Sequence, residues 1–322
     1  MSSRVLLLST SFPTDRDDSA GHFVLKEARD LKKRGHEVTV VAPNARSVPG
    51  IDVHPILIHS LTGTPGILAR AKQRPHRLLQ VPSLLAGLRR ATLECPANHV
   101  IAHWLFPCAV PSCRHLTTSL EVVLHGSDVH LALRLPATWL RYLLRSHLPR
   151  RTHLRFVSAQ LQQTFFNHVG TLPFSSSVRP SPLHVPCMDR ALARKRLGLN
   201  NHALVAVIVG RLIKSKQVTR GLLHPALKQA RWFVIGEGPE RSNLERRHPD
   251  VFFTGHLPRK QTLQYIAAAD WLVHPSEREG APSVVREARA LGVKVLTSDT
   301  GDLRQWAAQD REIHIHPEWS TS

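Results

Sequence analysis

The sequence predicts an α/β protein made of two doubly wound parallel-sheet domains that face a cleft. Three observations carry this. Short, fully apolar, β-branched runs alternate with helix-patterned segments in both halves, the mark of a parallel sheet buried on both faces. The stretch PFSSSVRPSPLHVP (173–186) holds four prolines and four serines, separates the two rhythms and predicts no regular element. The 322 residues, 42% of them apolar, suffice for two cores of about 150 residues each.

The elements follow in order. RVLLLST (4–10) reads as a strand, SFPTDRDDSAG (11–21) as a loop, and FVLKEARDLKKRG (23–35) as a helix stopped by Gly35. HEVTVVAP (36–43) is the next strand, and strand, helix, strand in succession requires parallel pairing. HVIAHW (99–104) and LEVVLHGSDV (120–129) repeat an apolar strand that ends in polar residues. LRFVS (154–158) precedes the helix AQLQQTFFNHV (159–169). Beyond the proline-rich stretch, five strands are expected: ALVAVIVG (203–210), RWFVIG (231–236), DVFFTG (250–255), DWLVHPS (270–276) and VKVLTS (293–298). The boundaries read as a first domain over 1–172, a linker over 173–188 and a second domain over 189–322.

Charge narrows the partner. Lys and Arg number 43 against 24 Asp and Glu, a net charge of +19, and residues 53–93 and 129–188 contain no acid at all. Such a surplus predicts a negatively charged partner: nucleic acid, phosphates or an anionic membrane face. Only 6% of residues are aromatic, and no basic stripe is interleaved with aromatics, which argues against stacking on nucleic acid. Cys95, Cys108, Cys113 and Cys187 have no CxxC spacing and read as reduced thiols rather than zinc ligands. The opening strand has no signal-peptide pattern, and the longest apolar run is too short to span a bilayer, so a soluble cytoplasmic chain is expected.

In an open α/β sheet, ligands gather at the carboxyl ends of strands. There the second half places GRLIKSK, with Arg211 and Lys216, then EGPERSNLE, HLPRK and PSEREGAPSVVREARALG. The last stretch holds Glu279 and Glu287, eight residues apart across a turn; Glu237 and Glu245 have the same spacing, so spacing alone does not single out a site. Context does more. A helix that begins near Pro282–Ser283 offers free N–H groups and a positive dipole end, which suits a phosphate. Carboxylates repel phosphate but accept well from hydroxyls. Hydroxyls beside phosphates describe a nucleotide sugar, and Arg211 with Lys216 would stabilise the charge of its leaving diphosphate. In the first half, Gly21 can bring backbone close to a ligand. His103 and Trp104 end one strand and face either an acceptor or the core. Asp128 is either an acceptor contact or a helix N-cap.

Taken together, VGRLIKSK, FVIGEGPERSNLE, FFTGHL, AADWLVHPSEREGAPSVVREARALG and TSDTGD resemble the family 4 glycosyltransferases of the GT-B class. SFP, GHFV, RGHEVTVVAP, HWLFP and HGSDV extend the resemblance through the first half. It implies two Rossmann-like domains and a retaining, metal-independent transfer from a nucleoside-diphosphate sugar, with no cofactor. It implies further that Glu279 contacts the donor sugar, Glu287 the ribose, and Arg211 and Lys216 the diphosphate. Gly236, Gly238, His256 and Leu257 would wall the base, and Gly280, Ala281, Pro282 and Ser283 would complete the donor site. His125 would reach the donor sugar, and Gly21 would meet the diphosphate. The basic, leucine-rich stretches 68–91 and 133–155 suggest peripheral contact with the inner face of an anionic membrane, where a lipid-linked acceptor for polysaccharide or glycolipid synthesis would lie. The sequence departs from the family at Gln217, where a glycine is usual, at Pro-Cys-Met-Asp (186–189), and in being short after Glu287. These departures keep a degenerate scaffold, including one that binds nucleic acid, as an alternative. An epimerase or phosphorylase of the same fold is another.

Overall fold

A computed structural model describes residues 2–14, 21–58 and 75–319. The chain divides into two units, Met1–Pro182 and Leu183–Ser322. In the first unit the described strands are β1 Arg4–Leu8, β2 Glu37–Pro43, β3 Asp52–Ile56, β4 His99–His103, β5 Ser119–Leu124, β6 Thr152–Phe156 and β7 Ser175–Val178. They pair in parallel in the order β3-β2-β1-β4-β5-β6-β7. The helices between them are α1 His22–Lys33, α2 Val81–Glu94, α3 Ser127–Ala132, α4 Ala137–His147 and α5 Ala159–Val169. Val5, Leu6, Leu7 and Leu8 of β1 are all buried, as a strand covered on both faces requires.

The second unit repeats the plan with β8 Val205–Val209, β9 Arg231–Ile235, β10 Phe252–Gly255, β11 Trp271–His274, β12 Lys294–Thr297 and β13 Ile313–Ile315. All pairs are parallel, in the order β10-β9-β8-β11-β12-β13. Its helices are α6 Arg190–Arg196, α7 Val218–Leu222, α8 Arg241–Arg247, α9 Arg259–Ala268, α10 Ser283–Ala290 and α11 Leu303–Gln309. Successive side chains alternate between two cores. Val205, Val207, Phe233, Leu272 and Val295 pack with Leu263, Ile266, Val285 and Leu303. Ala206, Ile208, Trp232, Val234, Val273 and Leu296 pack on the other face with Val218, Leu222 and Leu244.

Three strands were not expected. The stretch read as an irregular linker contains β7, which pairs with β6 from Ser175 to Val178. Backbone pairing there is reinforced by His153, whose Nδ1 and Nε2 lie 2.9 and 2.7 Å from the hydroxyls of Ser175 and Ser177. β3, which contains Pro55, and β13, with three residues, also went unread. All three are edge strands. An edge strand buries less apolar surface and tolerates proline on its free side, so its sequence lacks the apolar signature. After the linker, Asp189 caps α6 by accepting from the Leu192 N–H at 2.7 Å.

Candidate active site

In the second sheet the strand order reverses between β8 and β11, which pair directly. Such a reversal opens a crevice beyond the carboxyl ends of the strands. The loop after β8 carries exposed Arg211 and the 3-10 turn Lys214–Lys216. The Glu277 N–H donates to the Ser215 carbonyl at 2.9 Å, joining this loop to the one that follows β11. Across that join the Lys216 ammonium pairs with Glu279 Oε1. His274, the last residue of β11, brings Nε2 to 3.1 Å from the same oxygen. The Glu279 N–H donates to Thr300 Oγ1 at 3.1 Å. Burial alone would raise the Glu279 pKa, but Lys216 and His274 more than offset it and hold the carboxyl well below the usual carboxylate range.

Glu287 lies in the second turn of α10, whose N-cap is Pro282. It is buried and accepts from Arg259 Nη2 at 2.5 Å. Arg259 begins α9 and also donates to the His184 carbonyl at 3.1 Å. Burial pushes the Glu287 pKa up against the pull of Arg259 and Arg286. The rival pair with the same spacing has a different fate. Glu237 and Glu245 both bind Arg241, each four residues away on a partly exposed surface, where such pairs contribute little. Among the described residues, no group of three or more His, Cys, Asp or Glu is placed to hold a metal ion.

In the first unit the strand ends assemble histidines. His103 ends β4 with no exposed surface, the core placement of its two readings, and stands against His125. His103 Nδ1 lies 3.1 Å from His125 Nε2, and the rings stack at 5.3 Å. Trp104 and Phe23 close on the His125 ring at 4.6 and 4.9 Å. Burial first, then the neighbouring charge of Arg155, lowers the His103 pKa well below its ordinary value. His125 is shifted the same way by burial, His103 and Arg155. Trp104 has φ 76°, a conformation that costs an L residue free energy and is found where a site dictates it.

Asp128 holds that conformation in place, and it is not the N-cap expected. The N-cap of α3 is Gly126. Asp128 is buried and accepts from the N–H groups of Leu105 at 2.8 Å and of His125 and Gly126 at 3.0 Å. It ties the Trp104 and His125 loops into one frame. Burial raises its pKa, with these backbone bonds pulling it back.

Residues 189–318 match the sequence family described as Glycosyl transferases group 1. Over 98% of its length the chain is 27% identical to a Bacillus subtilis glycosyltransferase named for teichuronic acid biosynthesis, TuaC, covering 85% of that protein. A GDP-mannose-dependent alpha-mannosyltransferase of Mycolicibacterium smegmatis is 26% identical over 96% of this chain and 83% of its own. Residues 189–318 thus carry the sequence pattern of the group 1 glycosyltransferases, and these relatives extend the likeness over both units. The fold is that of solved GT-B structures. Sucrose-phosphate synthase from Thermosynechococcus elongatus superposes with a TM-score of 0.74 at 16% identity, covering 94% of this chain and 82% of that one. WaaG, a glycosyltransferase involved in lipopolysaccharide biosynthesis, gives 0.64 at 17% identity over 95% and 84%.

Some glycines that the resemblance reads as donor contacts are required by the protein itself. A Cβ on Gly21 would lie 2.2 Å from the Ser11 carbonyl oxygen. A Cβ on Gly236 would lie 1.9 Å from the Gly210 oxygen, and one on Gly238 2.2 Å from that of Leu212, because the loops after β8 and β9 are pressed together. His256 (exposed) and Leu257 (half-buried) follow β10, two strands from β8 and so about 10 Å to the side. Gly280 and Pro282 are buried, while Ala281 and Ser283 are half-buried at the start of α10.

The sequence reading missed Arg259, His274, Glu27 and Arg155. Signals existed: His274 and Arg155 are polar residues inside the strand runs WLVH and LRFVS, and Glu27 shares the buried stripe of α1 with Val24 and Ala28. Arg155, the last basic residue of the stretch 133–155, is buried, paired with Glu27 at 2.7 Å and Glu121 at 3.0 Å.

Proposed function

We propose that the chain transfers a sugar from a nucleoside-diphosphate sugar to an acceptor, with retention of anomeric configuration and without a metal. The observation that carries this is the cluster of Lys216, Glu279 and His274 at the β8/β11 switch point. It sets a carboxylate held in its ionised form beside a cation, which suits a substrate bearing hydroxyls next to phosphates. Glu279 accepts from hydroxyls of the donor sugar. Glu287, fixed by Arg259, accepts from the ribose. Lys216, Arg211 and the first-turn amides of α10 meet the diphosphate, whose charge grows as its bond to the sugar breaks. His125 binds a sugar hydroxyl. The acceptor hydroxyl attacks on the face the diphosphate leaves, and the departing phosphate takes its proton, so no enzyme nucleophile is required.

Names of relatives guide the donor and acceptor. Several are GDP-mannose-dependent mannosyltransferases, so GDP-mannose heads the donors to try. One is named for teichuronic acid biosynthesis, which is in keeping with a role in polysaccharide or glycolipid synthesis. Thermal unfolding with a panel of nucleotide sugars, in EDTA, tests the reading. The true donor at about 100 times its Kd adds about 2.7 kcal/mol to the folded state and raises Tm. No rise with any nucleotide sugar would remove the proposal, and a rise only with Mg²⁺ or Mn²⁺ would remove its metal-independent form.

A further inference from the structure

A buried chain of polar groups runs from α1 to His125. Glu27 is buried, clamped by Arg155 through Nη1–Oε1 at 2.7 Å and Nη2–Oε2 at 2.8 Å. Its Oε2 lies 3.6 Å from His103 Nε2. That is too long for a hydrogen bond, but close enough for the carboxylate's charge to select which form of the imidazole faces it. His103 Nδ1 in turn lies 3.1 Å from His125 Nε2. The donor-site reading uses neither Glu27 nor His103.

We propose that Glu27 and His103 are positioning residues that fix the tautomer of His125, so that its Nδ1 is presented as a hydrogen-bond acceptor to a substrate hydroxyl. This rests on the reading of His125 as a substrate contact. A neutral imidazole carries one N–H and one lone pair. A lone pair on His103 Nε2 would confront a carboxylate with no proton between them, whereas an N–H there is attracted. The proton therefore sits on His103 Nε2, and Nδ1 carries the lone pair. The 3.1 Å contact then needs its proton from His125, which places N–H at His125 Nε2 and the lone pair at Nδ1. Arg155 supplies the counter-charge that a buried carboxylate requires, and it also meets Glu121 at 3.0 Å. Desolvation and the charge of Arg155 lower the pKa of both imidazoles, which favours the neutral form, and an imidazolium would offer no lone pair. The division of labour resembles a carboxylate orienting a histidine in a hydrolytic triad.

Long-range 1H–15N correlation spectra of the full-length chain, labelled at histidine and free of substrate, read the tautomers directly. Both His103 and His125 are expected with protonated Nε2 and bare Nδ1. His125 protonated at Nδ1, or present as imidazolium at pH 7, would overturn the proposal whatever the variants do. Turnover gives a second arm. His103→Leu removes the acceptor and is expected to lower kcat about tenfold, with the donor KM held within about twofold, the scale of one lost hydrogen bond. His103→Gln, whose amide can accept from His125 and donate toward Glu27, is expected to recover kcat to within about threefold. Equal losses in two variants that melt like the parent would reduce His103 to a packing residue. His125→Ala with unchanged turnover would instead remove the substrate contact, leaving the tautomer to the spectrum.

Discussion

Desolvation and the charge of Arg155 lower the pKa of both His103 and His125, and such a shift has a thermodynamic signature. A histidine whose folded pKa lies below its unfolded value leaves the unfolded chain as the better proton acceptor. Its contribution to stability is therefore whole above the unfolded value, about 6.5, and is lost as the pH falls beneath it. Urea unfolding at pH 7, 6 and 5 is expected to show stability falling by up to about 1.4 kcal/mol per pH unit for each such histidine. His103→Gln should remove one share of that slope, and an unchanged slope would mean that His103 is not its source. At the donor site, Lys216→Ala is expected to weaken nucleoside-diphosphate binding by about 1.5–3 kcal/mol, the worth of a charged hydrogen bond. Glu279→Gln should weaken the nucleotide sugar while sparing the diphosphate, and the surface residue Glu245→Gln should change neither. Calorimetry that found Glu245 more important than Glu287 would mean the wrong carboxylates had been chosen. Glu279 and Lys216 were legible as charged residues in the loops after strands, and Glu287 as a carboxylate in the helix that follows, singled out by the resemblance rather than by spacing. Their partners were not, since Arg259 meets Glu287 across 28 residues of sequence and no local pattern couples α9 to α10.

Elements were legible in proportion to how much apolar surface they bury. Interior strands such as β1 and β8 show continuous burial, and their sequences are apolar for that reason. β7, SSSV, is held by backbone pairing and histidine–serine bonds, which leave no hydrophobic trace to read. The loop after β8 shows the opposite case, in which a local departure is absorbed. Gln217, where a glycine is usual, takes φ 48° and ψ 40° at the start of α7 and donates to Glu277 Oε1 at 2.6 Å. The left-handed conformation costs an L residue about 1–2 kcal/mol, and the amide bond returns about 1 kcal/mol. Comparing Gln217→Gly with Gln217→Ala isolates the backbone, since both lose the amide. The glycine variant is expected to be more stable by about 1 kcal/mol in chemical denaturation, and an alanine variant at least as stable would contradict the left-handed turn.

Across the whole molecule the net charge is +19, and the first unit has a face that suits an anionic surface. The inner side of α4 buries Leu140 and Leu144, while Trp139 and Tyr142 on its outer side are each 74% exposed. Arg134, Arg145, Arg150 and Arg151, before, on and after α4 in sequence, are exposed, in a segment where residues 129–188 carry no acid. Arg89 and Arg90 on α2 are exposed as well, whereas Arg70, Lys72 and Arg74 lie outside the described residues. Among the described residues no helix is long and apolar enough to cross a membrane, so contact through α4 would be made at the surface. Aromatic rings at the interface beside arginines, with leucines turned inward, describe such a contact. Each basic residue near an anionic leaflet contributes about 1 kcal/mol, so four arginines suffice for binding at modest salt. The chain is therefore expected to co-sediment with vesicles that contain anionic lipid, to release as salt rises, and to lose much of its binding in a Trp139→Ala, Tyr142→Ala double variant. Equal sedimentation with neutral vesicles, or none with anionic ones, would remove the membrane from the account and leave the excess charge to serve the nucleotide sugar alone.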